Sequence, residues 1–173
     1  MAFKFKTTVQ KFSDSPLWAH HIRVPVEIGN ELSKTDRRIL CSVNGAQPFH
    51  GALMHDGSGG FFINMNKELL KTLKVQHEDE IDVSLEKDKS KYGLPVPDFF
   101  EELCQQDPEG SSLFHKLTMG NQRNLLRLLI QPKSEQKQLE KALIIFDYLK
   151  STGGTIEYKG LNEAFKNNRF RKI

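Results

Sequence analysis

The sequence predicts an α+β protein: a small pseudo-twofold β-barrel with short helices, followed by a C-terminal helical domain. Three observations lead there. Apolar and polar residues alternate in short strand-like runs through the first half, that half contains an internal repeat, and apolar residues recur at helical spacing through the second half. With 173 residues the chain is long enough for two small domains. Its 12 glycines and 7 prolines fall short of the fraction that marks low-complexity disorder, so a packed core is expected.

Ala2 to Phe12 opens the chain as a half-buried strand, with Phe3, Phe5, Thr7 and Val9 on one face and Lys4, Lys6, Thr8 and Gln10 on the other. Leu17 to Val24 reads as a second strand, and Pro25 suits the first turn of a short helix, where its missing N–H costs nothing. Arg38 to Val43, Phe49 to Met54, Phe61 to Met65 and Glu80 to Glu86 are further strands, punctuated by Gly, Asn, Asp and Ser.

The repeat organises these pieces. Ile22-Arg23-Val24-Pro25-Val26-Glu27-Ile28 matches Ile63-Asn64-Met65-Asn66-Lys67-Glu68-Leu69 at an offset of 41, with Leu32 matching Leu73 in the same register. Ile39-Leu40-Cys41-Ser42-Val43 matches Ile81-Asp82-Val83-Ser84-Leu85 at an offset of 42. Each copy reads strand, short helix, strand, with a glutamate in the first turn where negative charge favours the helix dipole. Two such copies about a pseudo-twofold axis would share one core and close a barrel with few exposed edges.

The barrel domain is assigned to residues 1–92 and a Pro-rich linker to 93–98, since Gly93-Leu94-Pro95-Val96-Pro97 propagates neither a helix nor a central strand. The helical domain takes 99–173. Phe99, Phe100, Leu103 and Cys104 share one helix face. Asp107-Pro108 reads as an N-cap followed by proline at the first helical position. Leu113 and Leu117, then Leu125 to Ile130, then Leu139 to Leu149 continue the spacing, and Gly153-Gly154 ends the longest helix. Ile156 and Tyr158 are expected in a short extended piece before a final helix with Leu161, Ala164 and Phe165.

The run Leu53-Met54-His55-Asp56-Gly57-Ser58-Gly59-Gly60-Phe61-Phe62-Ile63, with Lys67-Glu68-Leu69 and Asp79-Glu80-Ile81-Asp82-Val83, resembles domain of unknown function 1905. That bacterial family implies a double-split β-barrel of the AbrB/MazE-like kind over roughly residues 3 to 97. Relatives tend to carry Gly-Asp where this chain has Glu78-Asp79, so no left-handed turn is inferred there. Phe114-His115-Lys116-Leu117, Gln122-Arg123 and Lys133 make the second half similar to the YdeI/OmpD-associated domain, which implies a link to protection against bacteriocins or antimicrobial peptides. The Thr-Arg and Arg-Ile pairs usual in that family correspond here to Lys137-Gln138 and Lys141-Ala142, so the resemblance transfers no arginine-built anion site.

Composition removes several function classes. No stretch has the roughly 18 apolar residues of a membrane helix and the start alternates, so a cytoplasmic protein without membrane insertion is expected. Cys41 and Cys104 stand far apart without a CxxC and read as small apolar residues. Lys166, Arg169, Arg171 and Lys172 account for the net charge of +3; without them 21 basic residues face 22 acidic ones, too even a balance for a duplex-binding surface. That tail reads as a solvated terminus.

Candidate chemistry is sparse. Gly57-Ser58-Gly59-Gly60 lacks a following Gly-Lys-Ser/Thr and reads as a hairpin turn, not a phosphate loop. His50, His55 and Asp56, with one of the adjacent His20 and His21, form a metal-ligand alternative that is not adopted, because surface or half-buried histidines are commoner. Glu80, Asp82, Glu86 and Asp88 share a period-2 face and read as a solvated edge, not an acid/base pair. Arg123 and Arg127, four apart on one helix face, with Lys133 beyond, are the candidate anion- or partner-binding residues. No catalytic residue, metal or cofactor is assigned. The sequence-based reading is a monomeric, non-catalytic binding or interaction protein whose partner is a protein or a small molecule. A nucleic-acid-binding protein of AbrB-like type and an enzyme using a cleft between the two domains are the alternatives.

Overall fold

In the computed structural model, which describes residues 1–13 and 20–168, the chain forms two compact units, Met1–Gly93 and Leu94–Ile173. The first contains β1 (Phe3–Lys11), β2 (His20–Val24), α1 (Val26–Leu32), β3 (Arg38–Val43), β4 (Phe49–Ala52), β5 (Met54–His55), β6 (Phe61–Met65), α2 (Lys67–Leu73) and β7 (Glu80–Lys87). The expected second strand began at Leu17; its first residues lie outside the described ones, as do Arg169, Arg171 and Lys172 of the basic tail.

The strands form one antiparallel sheet in the order β4-β3-β7-β1-β2-β6-β5. Its two outer members, β4 and β5, are consecutive in the chain with only Leu53 between them, so the sheet curls into a nearly closed barrel. Where the sequence suggests one strand from Phe49 to Met54, the run breaks at Leu53. The first piece pairs with β3 and the second with β6. β1 divides its pairing in the same way, Phe3–Thr8 with β7 and Val9–Lys11 with β2. Val9 and Leu53, at the two changes of partner, are both fully buried.

The register makes the internal symmetry explicit. Ile22 pairs with Ile63, its own counterpart in the repeat, and Ser42 pairs with Ser84, its own counterpart on the opposite side. A twofold axis relating the copies must pass through both pairs. Thr7 faces Ile81 as Gly51 faces Ile39, and Gln10 faces His21 as Met54 faces Phe62. The first strand therefore belongs to the repeat as well, at an offset of 44 (7 to 51, 10 to 54), which side-chain similarity did not disclose. One chain supplies both halves of the sheet. Ile22, Val24, Ile39, Cys41, Val43, Ile63, Met65, Ile81, Val83 and Leu85 fill the core.

The segment before β7 corrects one expectation. Glu78 adopts a left-handed conformation (φ 72°), so the turn forms despite the missing glycine. Two bonds hold it: the Glu78 N–H donates to Val9 O at 2.8 Å, and the Gln76 N–H donates to the Asp79 carboxylate at 2.8 Å. An L side chain at that φ is strained, whereas glycine is not. Glu78→Gly is expected to stabilise the unit by up to about 1 kcal/mol in urea unfolding, the relief of strain exceeding the added freedom of the unfolded chain; equal or lower stability would show the turn to be unstrained.

The second unit contains α3 (Asp98–Gln106), α4 (Pro108–Lys116), α5 (Met119–Ile130), α6 (Glu135–Ser151) and α7 (Tyr158–Asn167). Asp107 caps α4 by accepting the Gly110 N–H at 2.9 Å, with Pro108 in the first turn as expected. Phe100, Phe114 and Phe146 meet edge-on or tilted at 5.3–6.2 Å between ring centroids and anchor a core completed by Leu125, Leu126, Leu129, Ile145, Leu149 and Leu161. The extended piece expected at Ile156 and Tyr158 does not form. Tyr158 instead opens α7, and its hydroxyl lies 3.4 Å from Asn124 Nδ2 of α5.

Candidate functional site

Because β2 sends Ile22 and Val24 into the barrel core, His21 and Arg23 project from the opposite face. By the same alternation Phe61, Ile63 and Met65 of β6 point inward, leaving Phe62 and Asn64 outside. Of these, His21, Arg23 and Phe62, with Gln10 and Lys11 from the end of β1, Phe12 and Ser13 just after it and Asp56 from the β5–β6 turn, bound a recess of about 320 Å³.

His21 is the unusual member. Only 7% of it is exposed, its ring stacks on Phe12 at 4.0 Å between centroids and meets the edge of Phe62 at 5.7 Å. Its Nδ1 is enclosed and has no hydrogen-bond partner among the described residues; the same is true of Oδ1 of Asn64, its cross-strand neighbour. Burial, then the charges of Arg23 and His20, lower the His21 pKa, which keeps the ring neutral near pH 7 with one donor and one acceptor nitrogen. Arg23, at the edge of the recess, donates from Nε to Gln10 Oε1 at 3.2 Å, and its Nη1 stands 3.8 Å from Asp56 Oδ2, which offsets part of its charge. The recess is lined by a cation paired with Asp56, a neutral imidazole and two aromatic side chains.

The glycine-rich run beside it is a hairpin turn. Asp56 Oδ1 accepts from the Ser58 and Gly60 backbone N–H groups, each at 2.9 Å, and Asp56 N–H donates to Gly60 O. Those bonds hold the Asp56 carboxyl below its usual range. A carboxylate already occupies the donors that a phosphate would need.

The other polar centre joins residues that the sequence treats separately. Asp88, expected on a solvated face, is fully enclosed: β7 ends at Lys87 and the chain turns inward. His50 Nδ1 lies 2.9 Å from Asp88 Oδ2, and the Ser90 N–H donates to Asp88 Oδ1 at 2.8 Å. Burial opposes ionisation of Asp88, but the hydrogen bonds from Ser90 and His50 outweigh it and hold the pKa down. Arg38 Nη1 donates to Ser90 O at 3.1 Å and Gly93 N–H to Ser90 Oγ at 3.0 Å, completing the cluster. A carboxylate-steadied imidazole suits a general base. Here, however, the Ser90 hydroxyl sits on the carboxylate side of the pair, and no hydroxyl or thiol is hydrogen-bonded to His50 Nε2 among the described residues.

The histidine group considered for a metal does not assemble. His50 turns to Asp88, His55 lies against Phe61 at 4.7 Å between centroids, and His20 faces His77 at 6.1 Å. Among the described residues no three His, Cys, Asp or Glu side chains are placed to hold a metal ion. Cys41 lies in the barrel core, where burial pushes its thiol pKa up to about 12. In the helical unit, Arg123 is half-buried with Nε enclosed and unpartnered among the described residues, Arg127 is exposed one turn further along α5, and Lys133 is exposed beyond the helix end. No hydrogen bond or ion pair connects these three residues among the described ones. Of the decisive groups, Asp88 carried a readable signal, because Asp-x-Ser at 88–90 repeats the Asp56-Gly57-Ser58 pattern in which a carboxylate accepts the N–H two residues on. His21 carried only its place in the strand alternation.

Residues 5–85, the segment that builds the barrel, match the family model of a domain of unknown function (DUF1905). The barrel unit is a DUF1905-like domain. Asp88 lies just beyond the matched segment, and the helical unit follows it. No curated protein matches the chain. No helix among the described residues is long and apolar enough to cross a membrane.

Proposed function

We propose that the chain is a non-catalytic binding protein whose DUF1905-like barrel takes a small organic acid with a flat apolar body into the recess on β1, β2 and β6. His21 in its wall carries the reading: its Nδ1 is enclosed and without a partner among the described residues, a state that costs about 1–3 kcal/mol, and a ligand group that turns the ring enough to pair with that nitrogen recovers the cost. Arg23 supplies a positive charge for a carboxylate, and Phe12 and Phe62 make the lining aromatic and apolar beside it. By its resemblance the helical unit is assigned to the YdeI/OmpD-associated type, with protection from antimicrobial peptides in the cytoplasm as the setting and a monomer as the working form. Duplex nucleic acid is not the partner in this reading, because Lys6 on the outer face of the barrel lies 3.7 and 3.9 Å from the Glu80 and Asp82 carboxylates, which offset its charge.

The test is thermal denaturation of the full chain with a series of aromatic carboxylic acids. A binder at 100 times its Kd is expected to stabilise by about 2.7 kcal/mol. His21→Phe keeps the ring stack, removes both nitrogens and abolishes that gain. The same substitution flattens the acid limb of the stability profile. The folded pKa of His21 lies below its unfolded value of 6.5, so its contribution is intact above pH 6.5 and is lost as pH falls from there through the folded value. Failure of every acid in the series, persistence of the gain in His21→Phe, or a salt-sensitive shift of duplex DNA in a gel overturns the proposal. Loss of bacteriocin protection in cells carrying His21→Phe is its cellular readout.

A further inference from the structure

A second recess lies within the helical unit and has a different chemistry. Residues of α6 and α7, with Pro132 before them, border a groove of about 650 Å³, within the range of small-molecule sites. Lys137 and Lys141 stand four apart on α6 with Ile144 a turn beyond, and Phe165 and Lys166 face them from α7. Ile144 and Phe165 are only half-buried, leaving an apolar floor between cations.

The charges in this groove are not balanced. None of Lys137, Lys141 and Lys166 has a carboxylate partner among the described residues, in contrast to Lys150 of the same unit, which binds Asp107 at 2.7 Å and Asp147 at 3.2 Å. Glu140 is the one acidic side chain at the groove, so three positive charges meet one negative. Lys141 donates to Leu128 O at 3.0 Å, closing the last turn of α5, and reaches Gln131 Oε1 at 3.4 Å. An ammonium has three N–H donors, so one is left for a ligand. Its nitrogen also lies 5.1 Å from the centre of the Phe165 ring, which ties the cation to the apolar floor. Burial lowers the Lys141 pKa, as expected of a desolvated ammonium lacking its counter-ion.

We infer that this groove binds a small phosphomonoester, its dianionic phosphate held by Lys137, Lys141 and Lys166 and its organic body lying on Phe165 and Ile144. The net charge at the groove matches a dianion, and compact lysine ammoniums suit phosphate as point charges. Arg123, Arg127 and Lys133, the anion-binding candidates of the sequence, do not line this groove. The site is independent of the barrel recess, so either can fail without the other.

The experiment is calorimetric titration of the full chain with adenosine monophosphate and, separately, inorganic phosphate, at about 50 mM salt where screening is weak. The monophosphate is expected to bind more tightly than phosphate alone, because only it reaches the apolar floor. Lys137→Met combined with Lys166→Met removes two exposed side chains and is expected to weaken binding about tenfold, as for the loss of charge-assisted contacts. Arg127→Met, on α5, leaves binding unchanged. No binding of either probe at millimolar concentration, equal affinity in the double variant, an equal loss in Arg127→Met, or capture of a poly-glutamate peptide in preference to the monophosphate overturns the inference. Circular dichroism and an unchanged melting temperature establish that the double variant is folded.

Discussion

Asp88→Ala is expected to destabilise the barrel unit by about 2–4 kcal/mol, since it strands the His50 ring N–H and the Ser90 N–H in a site with little access to water. The side chain of Asp88 is fully enclosed, and that of His50 is 24% exposed, so water cannot replace the carboxylate at both donors. The bond from His50 joins chain segments 38 residues apart, fixing the turn after β7 against β4, and the bond from Ser90 closes that turn. Asp88→Asn retains one acceptor of similar shape and should cost about half as much. In a double-mutant cycle, Asp88→Ala and His50→Ala should be strongly non-additive, because each removes the other's partner. Urea unfolding with an unchanged m value is the measurement. The pH dependence gives an independent check. The folded pKa of Asp88 lies below the unfolded value near 3.8, so its stabilisation is complete above that value and is lost as pH falls through the folded pKa. Wild type should therefore lose stability more steeply than Asp88→Asn in strong acid. Additive losses or superimposable acid limbs would show the pair to be an incidental contact.

Gly29→Ala is expected to cost about 1–3 kcal/mol, and more if the ring it strikes cannot shift. A Cβ at Gly29 would stand 2.2 Å from Cδ2 and 2.4 Å from Cγ of Phe61. Both atoms belong to a ring that is 4% exposed and packed in the barrel core, so the contact cannot be relieved by swinging a flexible chain end. The symmetry of the fold explains why the glycine is there. In the other copy the equivalent of Gly29 is Leu70 and the equivalent of Phe61 is His20, so the half with the larger ring on its strand carries the smaller residue on its helix. Phe61→Leu should rescue part of the loss in Gly29→Ala, visible as a coupling of about 1 kcal/mol in a double-mutant cycle. A neutral Gly29→Ala would show that the Phe61 ring yields to the added methyl without loss of packing.

The barrel was largely legible because its signals are local. Alternation along each strand states which side chains face the core, and the offsets of 41 and 42 state that two such units share it. The first strand of each copy escaped notice because β1 and the β4–β5 run share few side chains, even though their pairing is equivalent. What the two strands share is backbone register, which residue identity does not encode. The break at Leu53 was hidden for a related reason: an apolar residue looks the same in a continuous strand as at the point where a strand changes partners. Glu78 shows the reverse case, in which hydrogen bonds donated by the Glu78 and Gln76 N–H groups to Val9 O and the Asp79 carboxylate impose a backbone conformation against the preference of the residue.

From the sequence alone came the class of fold, the two-copy plan, the start of α4, the end of α6 and the turn at Asp56, each set by contacts within a few residues. Only the tertiary structure decided that Asp88 meets His50, that His21 is sealed with an unpaired nitrogen, and that Lys137, Lys141 and Lys166 border one groove without acidic partners. The physical reason is that hydrophobic periodicity selects which face of an element is buried, whereas the partner of a polar atom depends on where distant segments come to rest, and desolvation then fixes what that atom can do.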